Sequence, residues 1–85
     1  QQQNQQSQLT ERWNSLSKRE KQVMQLVVSG HANKLVAETL DISPKTVEVH
    51  RARVMAKMDA ASLADLVNQA HRIDALKAIL AEQTV

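Results

Sequence analysis

The most informative part of the sequence is residues 33–50, which read NKLVAETLDISPKTVEVH. Apolar side chains at helical spacing, with a small alanine among them, predict a short helix over about residues 33–40. Ser43 and Pro44 then mark a strong helix start, because the serine hydroxyl caps the first turn and proline has its φ preset for a helix. A second helix is therefore predicted over about residues 44–58.

The corner between these two helices has the residues that a steep crossing needs. Such a crossing requires a small residue where the helices touch and apolar anchors on either side. Ala37 is the small residue, and the anchors are Leu40, Ile42 and Val47. Asp41 must take up a strained or left-handed backbone at the turn, which aspartate tolerates better than most residues. The pattern predicts a helix-turn-helix, whose second helix can lie in the DNA major groove.

The second helix is expected to have one buried and one exposed side. Spacings of three and four place an apolar stripe on it that consists of Val47, His50, Val54 and Met58. Small or short side chains occupy the opposite side, where they let the backbone come close to bases. Four cations against one carboxylate give residues 43–58 a net charge of +3, above the +2 of the whole chain. Cations on the flanks of a groove-facing helix can hold phosphates, so DNA binding is predicted.

Helices are also predicted on both sides of this pair. The sequence SKRE at residues 17–20 has the form of a capping box and predicts a helix over about residues 18–29. A second pairing of serine and acid, Ser62 with Asp65, predicts a fourth helix that continues past Leu80. With one glycine and one proline in 85 residues, the fold class is predicted to be all-α, as a four-helix bundle with an extended fourth helix.

The chain is predicted to divide at its start. Residues 1–8, QQQNQQSQ, contain no apolar side chain that could be buried, so they are predicted to be a flexible glutamine-rich interdomain linker. Residues 9–85 form the helix-turn-helix domain with its C-terminal helical extension. Trp13, the single aromatic residue, is predicted to anchor the linker to the core. A start at Gln1 rather than methionine suggests a piece of a longer protein.

The composition excludes several classes of protein. Eighty-five residues support one small core and not a multidomain enzyme. Cysteine is absent, which excludes disulfides and suits a cytoplasmic location, and no apolar run is long enough to span a bilayer. The three histidines, His31, His50 and His71, lack the spacing of metal ligands, and no base is placed to activate a serine. No enzymatic activity, cofactor or metal is therefore expected.

Several motifs, in the right order and spacing, resemble the LuxR-type helix-turn-helix domain. They are LSKRE at residues 16–20, NK at 33–34, ISPKTVEVHR at 42–51 and SLADLV at 62–67. The likeness covers roughly residues 9–72 and is greatest to the C-terminal effector domain of FixJ/NarL-type response regulators. It implies a homodimeric transcription regulator, in which a phosphorylated receiver domain, absent from this chain, controls DNA binding.

The resemblance also assigns roles to particular side chains. On the DNA-facing side of the second helix it places Lys45, Glu48, Val49 and Ala52. As phosphate contacts it implies Thr46, Arg53, Asn33 and Lys34. Three positions depart from the family pattern: Glu48 replaces a frequent lysine, His31 replaces a usual apolar residue, and Ala32 stands where a serine cap is common. A carboxylate can accept a hydrogen bond from cytosine but repels the DNA backbone.

The C-terminal extension carries more apolar surface than so small a domain can cover. The resemblance suggests that Leu76, Ile79 and Leu80 are buried in a homodimer. Fraying of the helix, or packing against the missing receiver, is the alternative.

Two further residues on the second helix are given structural roles. His50 lies on the apolar stripe and is predicted to be a hydrogen-bonded core residue. Arg51 lies near the buried edge and is predicted to pair with Glu20 or Glu48 while its stem packs against the core.

The predicted function is sequence-specific binding of double-stranded DNA by the effector domain of a two-component response regulator. A second copy of the chain and RNA polymerase are candidate partners, and no membrane is expected to be involved. Two alternatives stay open. One is region 4 of a sigma factor, which shares the helix-turn-helix; the other is a helical protein-interaction module whose basic side chains are simply solvated.

Overall fold

The computed structural model describes the backbone of residues 2–83 and the side chains of residues 7–75 and 77. The described backbone forms five α-helices and no strand, and the all-α prediction is confirmed. In chain order the helices are α1 (Gln2–Ser15), α2 (Lys18–Val28), α3 (Asn33–Leu40), α4 (Pro44–Lys57) and α5 (Leu63–Gln83). None of the described helices is long and apolar enough to cross a membrane.

The fifth helix arises where the flexible linker was predicted. Residues 2–8 belong to α1, which runs without a break from Gln2 to Ser15. Glutamine is a good helix former, and extending a helix costs much less than starting one. Leu9 is buried in the core and holds the second half of α1 in place, so the helix can continue through the glutamines before it. Residues 2–8 thus have a helical backbone in the structure, and their role as a flexible interdomain linker stays a prediction.

Trp13 connects α1 with the rest of the domain, as predicted. Its side chain is half-buried and packs against the core. The ammonium groups of Lys21 on α2 and Lys77 on α5 lie 5.2 and 4.7 Å from the centre of its ring. Cations at these distances are attracted to the face of an indole. One aromatic side chain thus connects three helices.

The start of α2 is the capping box predicted from the sequence. The Ser17 hydroxyl accepts a hydrogen bond from the Glu20 N–H at 3.1 Å, and the Glu20 carboxylate accepts one from the Ser17 N–H at 2.8 Å. Behind this cap, Val23, Met24 and Val27 turn into the core. Helix α2 packs against α3, α4 and α5.

The corner between α3 and α4 also has the predicted form. Asp41 takes the left-handed conformation, with φ 57° and ψ 48°. Ala37 and Val47 are buried on either side of the turn. The Ser43 hydroxyl caps α4 by accepting from the Thr46 N–H at 3.1 Å. Because these contacts all lie within a few residues of one another, the sequence was sufficient to predict them.

Two leucines are exposed although apolar residues near them pack in the core. Leu35 in the first turn of α3 and Leu63 at the first residue of α5 are each 46% exposed. In α3 the next two residues, Val36 and Ala37, occupy the buried side. In α5 the first buried residue is Leu66, one turn later. Since each residue turns the helix by about 100°, a leucine beside a buried position can still point outward.

Candidate nucleic-acid interface

Helix α4 presents one side to the core and the other to solvent. Val47, Val54 and Met58 are buried to within about 1% of full burial. The predicted DNA-facing residues on the other side are all exposed: Lys45, Glu48, Val49 and Ala52. Val49 is 42% exposed. The side of α4 that was predicted to meet DNA is therefore accessible.

The predicted phosphate contacts lie around this exposed side. Arg53 on α4 and Lys34 on α3 are exposed. Thr46 is half-buried in the first turn of α4, where its hydroxyl lies 2.9 Å from that of Ser43. Asn33, at the start of α3, is half-buried and lies close enough to α4 to form a hydrogen bond with it. Helices α3 and α4 thus bring the predicted contacts together from two elements.

Arg51 has a different partner from the predicted ones. Its Nη1 donates to Oδ1 of Asn33 at 2.7 Å, and it pairs with neither Glu20 nor Glu48. The prediction rested on the position of Arg51 around α4 and did not include the crossing with α3. The crossing of α3 over α4 places an amide oxygen, and not a carboxylate, within reach of the guanidinium.

Glu20 is paired with Lys57 at the C-terminal end of α4. The carboxylate is 3% exposed and accepts a hydrogen bond from Lys57 Nζ at 2.8 Å. Lys57 also donates to the Ser15 carbonyl at 3.4 Å. The hydrogen bond from Lys57 lowers the pKa of Glu20, the Ser17 N–H lowers it further, and burial opposes both. This pair fixes the end of α4 to the start of α2.

The Glu20 and Lys57 pair was missed by the sequence analysis. The capping box explains why an acid is placed at residue 20, but nothing in the linear pattern indicates that the carboxylate is buried. A lysine in the last turn of a helix is usually explained by the helix dipole. Only the packing of α2 against α4 shows that the two charges meet.

His50 is half-buried, but it is not hydrogen-bonded as predicted. Its Nδ1 is buried and has no partner among the described residues. The spacing of the stripe correctly predicts that the ring faces the core, but no described polar group of the surrounding helices forms a hydrogen bond with Nδ1. Within the described residues, no group of three or more acidic, cysteine or histidine side chains could hold a metal ion.

The predicted dimerisation residues cannot be placed in the same way. Leu76, Ile79 and Leu80 belong to α5, but their side chains lie outside the described residues. Their burial in a dimer stays a prediction.

A capped, cation-bearing helix after a steep corner, exposed on one side and buried on the other, is the arrangement of a helix-turn-helix DNA-binding domain. Comparison with known proteins agrees with this class. The family described as GerE, bacterial regulatory proteins of the luxR family, matches residues 14–70. The chain belongs to the luxR family of bacterial regulatory proteins.

Among similar proteins is the transcriptional regulatory protein FixJ of Rhizobium meliloti, 61% identical over 59 residues. That match covers 69% of this chain and 29% of the relative. The solved structure of the response regulator StyR has a TM-score of 0.80 at 41% identity, over 82% of this chain and 35% of that one. Full-length FixJ from B. japonicum has a TM-score of 0.70 at 53% identity, over 75% and 32%.

The chain thus spans about a third of the length of these relatives. The relatives are described as a transcriptional regulatory protein and a response regulator. The chain is a DNA-binding domain of a transcription regulator of this kind.

Proposed function

We propose that this domain binds a specific sequence in double-stranded DNA, with α4 in the major groove, as the effector module of a two-component response regulator. The observation that carries the proposal is that α4 has one buried and one exposed side. Its apolar stripe packs in the core, while its cationic side is accessible along the whole helix. An α-helix with short side chains on its outer face fits the width of the major groove.

Four exposed residues of α4 supply the base contacts in this proposal. Lys45 donates to the acceptor edge of a guanine, and Val49 makes apolar contact with a thymine methyl group. Ala52 leaves room for the backbone to approach. Glu48 accepts from the exocyclic amine of a cytosine, which gives this domain a base preference different from that of relatives with lysine there.

The phosphate contacts orient α4 in the groove. Arg53 and Lys34 provide charge, and Thr46 and Asn33 provide neutral donors. Thr46 and Arg53 are seven residues apart and so lie on the same side of α4, while Asn33 and Lys34 lie on α3. The DNA backbone is therefore approached from two helices.

The remaining elements of the proposal concern the whole protein. The domain acts as a homodimer through Leu76, Ile79 and Leu80 on α5, so the operator is a pseudo-palindrome. It has no enzymatic activity of its own, works in the cytoplasm, and RNA polymerase is a partner at the promoter. An upstream receiver domain, phosphorylated by a sensor kinase, regulates DNA binding. The likeness to FixJ and StyR over their matched thirds supports these elements.

The first experiment is selection of bound duplexes from a random pool, followed by titration of the selected duplex at several salt concentrations. We expect a consensus, and a steep linear fall of log K with log salt, corresponding to about 4 to 6 phosphate contacts per protomer. No enriched sequence, together with a flat salt titration, would instead favour a protein-interaction module.

Lys45→Ala tests the orientation of α4. We expect it to weaken binding to the selected duplex by roughly 1–3 kcal/mol and to relax the preference at one base pair. The matched control is Lys18→Ala, which removes an exposed cation at the start of α2. That end of α2 lies beside the C-terminal end of α4, about 20 Å along the helix from Lys45. Equal affinity of the two variants would contradict the orientation.

A further inference from the structure

One hydrogen bond connects the middle of α4 with the first residue of α3. Arg51 Nη1 donates to Asn33 Oδ1 at 2.7 Å, and the two residues are 18 apart in the chain. Both side chains are half-buried. The contact therefore lies at the edge of the core, where α3 and α4 meet and where the surface predicted to bind DNA begins.

The chemistry of this pair fixes which way the amide of Asn33 points. A guanidinium has donors only, so it must meet the amide oxygen and cannot meet the amide nitrogen. The nitrogen, Nδ2, is then directed away from Arg51. It has no partner among the described residues and is not among their buried unsatisfied atoms, so it reaches solvent.

The Asn33 side chain has no local role that would explain its place. It is the first residue of α3, after an N-cap alanine that makes no side-chain hydrogen bond. Asparagine at a helix start commonly caps its own helix, but here the side-chain oxygen is taken by α4. A hydrogen bond from a cation to the oxygen also polarises the amide and makes its N–H groups better donors.

We propose that Arg51 is a positioning residue for DNA binding: it holds Asn33 with Nδ2 turned outward, where it donates to a phosphate oxygen of the DNA bound by α4. The inference rests on the proposed function, since it explains how the donor of one phosphate contact is oriented. The proposal gives the phosphate contact to Asn33 and not to Arg51, whose Nη1 is engaged with the amide oxygen. A neutral donor thus contacts the backbone, and a half-buried cation orients it.

The test compares two variants on the duplex selected by the unchanged domain. Asn33→Ala removes the donor, and Arg51→Met removes the guanidinium but keeps an apolar stem of similar length. We expect each to weaken binding about tenfold, and the double variant to be no weaker than Asn33→Ala alone, since both remove the same phosphate contact. Losses that multiply in the double variant would overturn the proposal.

The salt dependence separates positioning from direct contact. Loss of a cation that binds a phosphate reduces the slope of log K against log salt by about one. We expect Arg51→Met to leave the slope unchanged, while Arg53→Met, the matched exposed arginine on the same helix, reduces it. A reduced slope for Arg51→Met would show that Arg51 binds the phosphate itself.

Asn33→Asp distinguishes a loss of DNA contact from a loss of folding stability. Aspartate keeps an oxygen for Arg51 and adds an ion pair, so the melting temperature should be unchanged or higher. The outward N–H donor is replaced by a carboxylate oxygen, so DNA affinity should fall more than tenfold. A purely structural role for the pair predicts that affinity follows the melting temperature in all three variants. If the unchanged domain binds no duplex, the proposed function itself fails; if it binds and the variants bind equally well, only this inference fails.

Discussion

In the Glu20 and Lys57 pair the carboxylate is buried and the ammonium is partly exposed, so the two charges lose different amounts of solvation. The Glu20 side chain is 4% exposed, whereas that of Lys57 is 40% exposed. Without Glu20, the Lys57 ammonium could rotate into solvent. Without Lys57, the Glu20 carboxylate would be a buried charge with little solvation. The pair therefore matters mainly because it compensates the burial of the acid, which the capping box at the start of α2 requires.

Replacement of Lys57 with methionine should destabilise the domain by about 1–3 kcal/mol at neutral pH, because it leaves the buried carboxylate without its cation. Glu20→Gln should cost less, since the amide oxygen can still accept from Ser17 and Lys57 can reach solvent. Urea unfolding of the two variants measures the difference. Equal losses would show that the buried charge is not what the lysine compensates.

The same pair predicts how stability depends on pH. The pKa of Glu20 is lowered in the folded state by the Lys57 and Ser17 hydrogen bonds. Its contribution is therefore complete above the ordinary carboxyl pKa and is lost as pH falls through the lowered value. We expect the stability gap between the unchanged domain and Lys57→Met to narrow as pH falls below about 4.5. A gap that is constant between pH 7 and pH 3 would contradict this.

Asp41 offers a second test on single residues. Its φ of 57° costs a residue with a Cβ about 1–2 kcal/mol, part of which aspartate avoids. Asp41→Gly should raise stability by about 0.5 kcal/mol, because the strain relieved exceeds the entropy that glycine gains in the unfolded chain. Asp41→Val should lower stability by about 1–2 kcal/mol. Thermal melting of both variants checks the sign of each change.

Among the helices, α1 depends most on a few anchors. It packs against α4 and α5, and Trp13 also meets Lys21 of α2. Among its described side chains, Leu9 is buried and Trp13, one turn later, is half-buried. A short helix that is otherwise polar is marginal in water without such packing. The helical state of the glutamine segment therefore depends on the side chains that follow it.

Leu9→Ala tests this dependence. We expect a loss of about 2–4 kcal/mol from the buried leucine, together with a loss of helical signal in far-UV circular dichroism as α1 frays. Gln8→Ala, an exposed neighbour in the same helix, should change neither quantity. If Leu9→Ala keeps its full helical signal, the anchor lies elsewhere in α1.

At the scale of the whole molecule, the helix-turn-helix packs together with the three remaining helices. Helices α3 and α4 form the helix-turn-helix; α2 packs against both of them and against α5, while α1 packs against α4 and α5. Two side-chain pairs of α4, Arg51 with Asn33 and Lys57 with Glu20, are about six residues apart along the helix and reach different elements. Together they fix both the rotation and the tilt of α4 relative to the rest of the domain.

The proposed dimer makes a prediction for the assembled complex. Two domains should bind each selected duplex, with half-sites about one helical turn apart. Ile79→Glu places a charge in the proposed contact and should leave one domain per duplex at moderate protein concentration. Sedimentation of the complex measures this stoichiometry. Two domains per duplex for Ile79→Glu would mean that α5 does not hold the pair together.

The linear pattern was enough to predict the all-α class, the capped starts of α2 and α4, and the corner at Asp41. It was enough because each of these depends on residues within one or two turns of one another. The helical state of residues 2–8, the exposure of Leu35 and the missing partner of His50 Nδ1 depend instead on how separate helices cross. So do the partners of Arg51 and Glu20, because a side chain 18 or 37 residues away comes into reach only after the crossing angles are set.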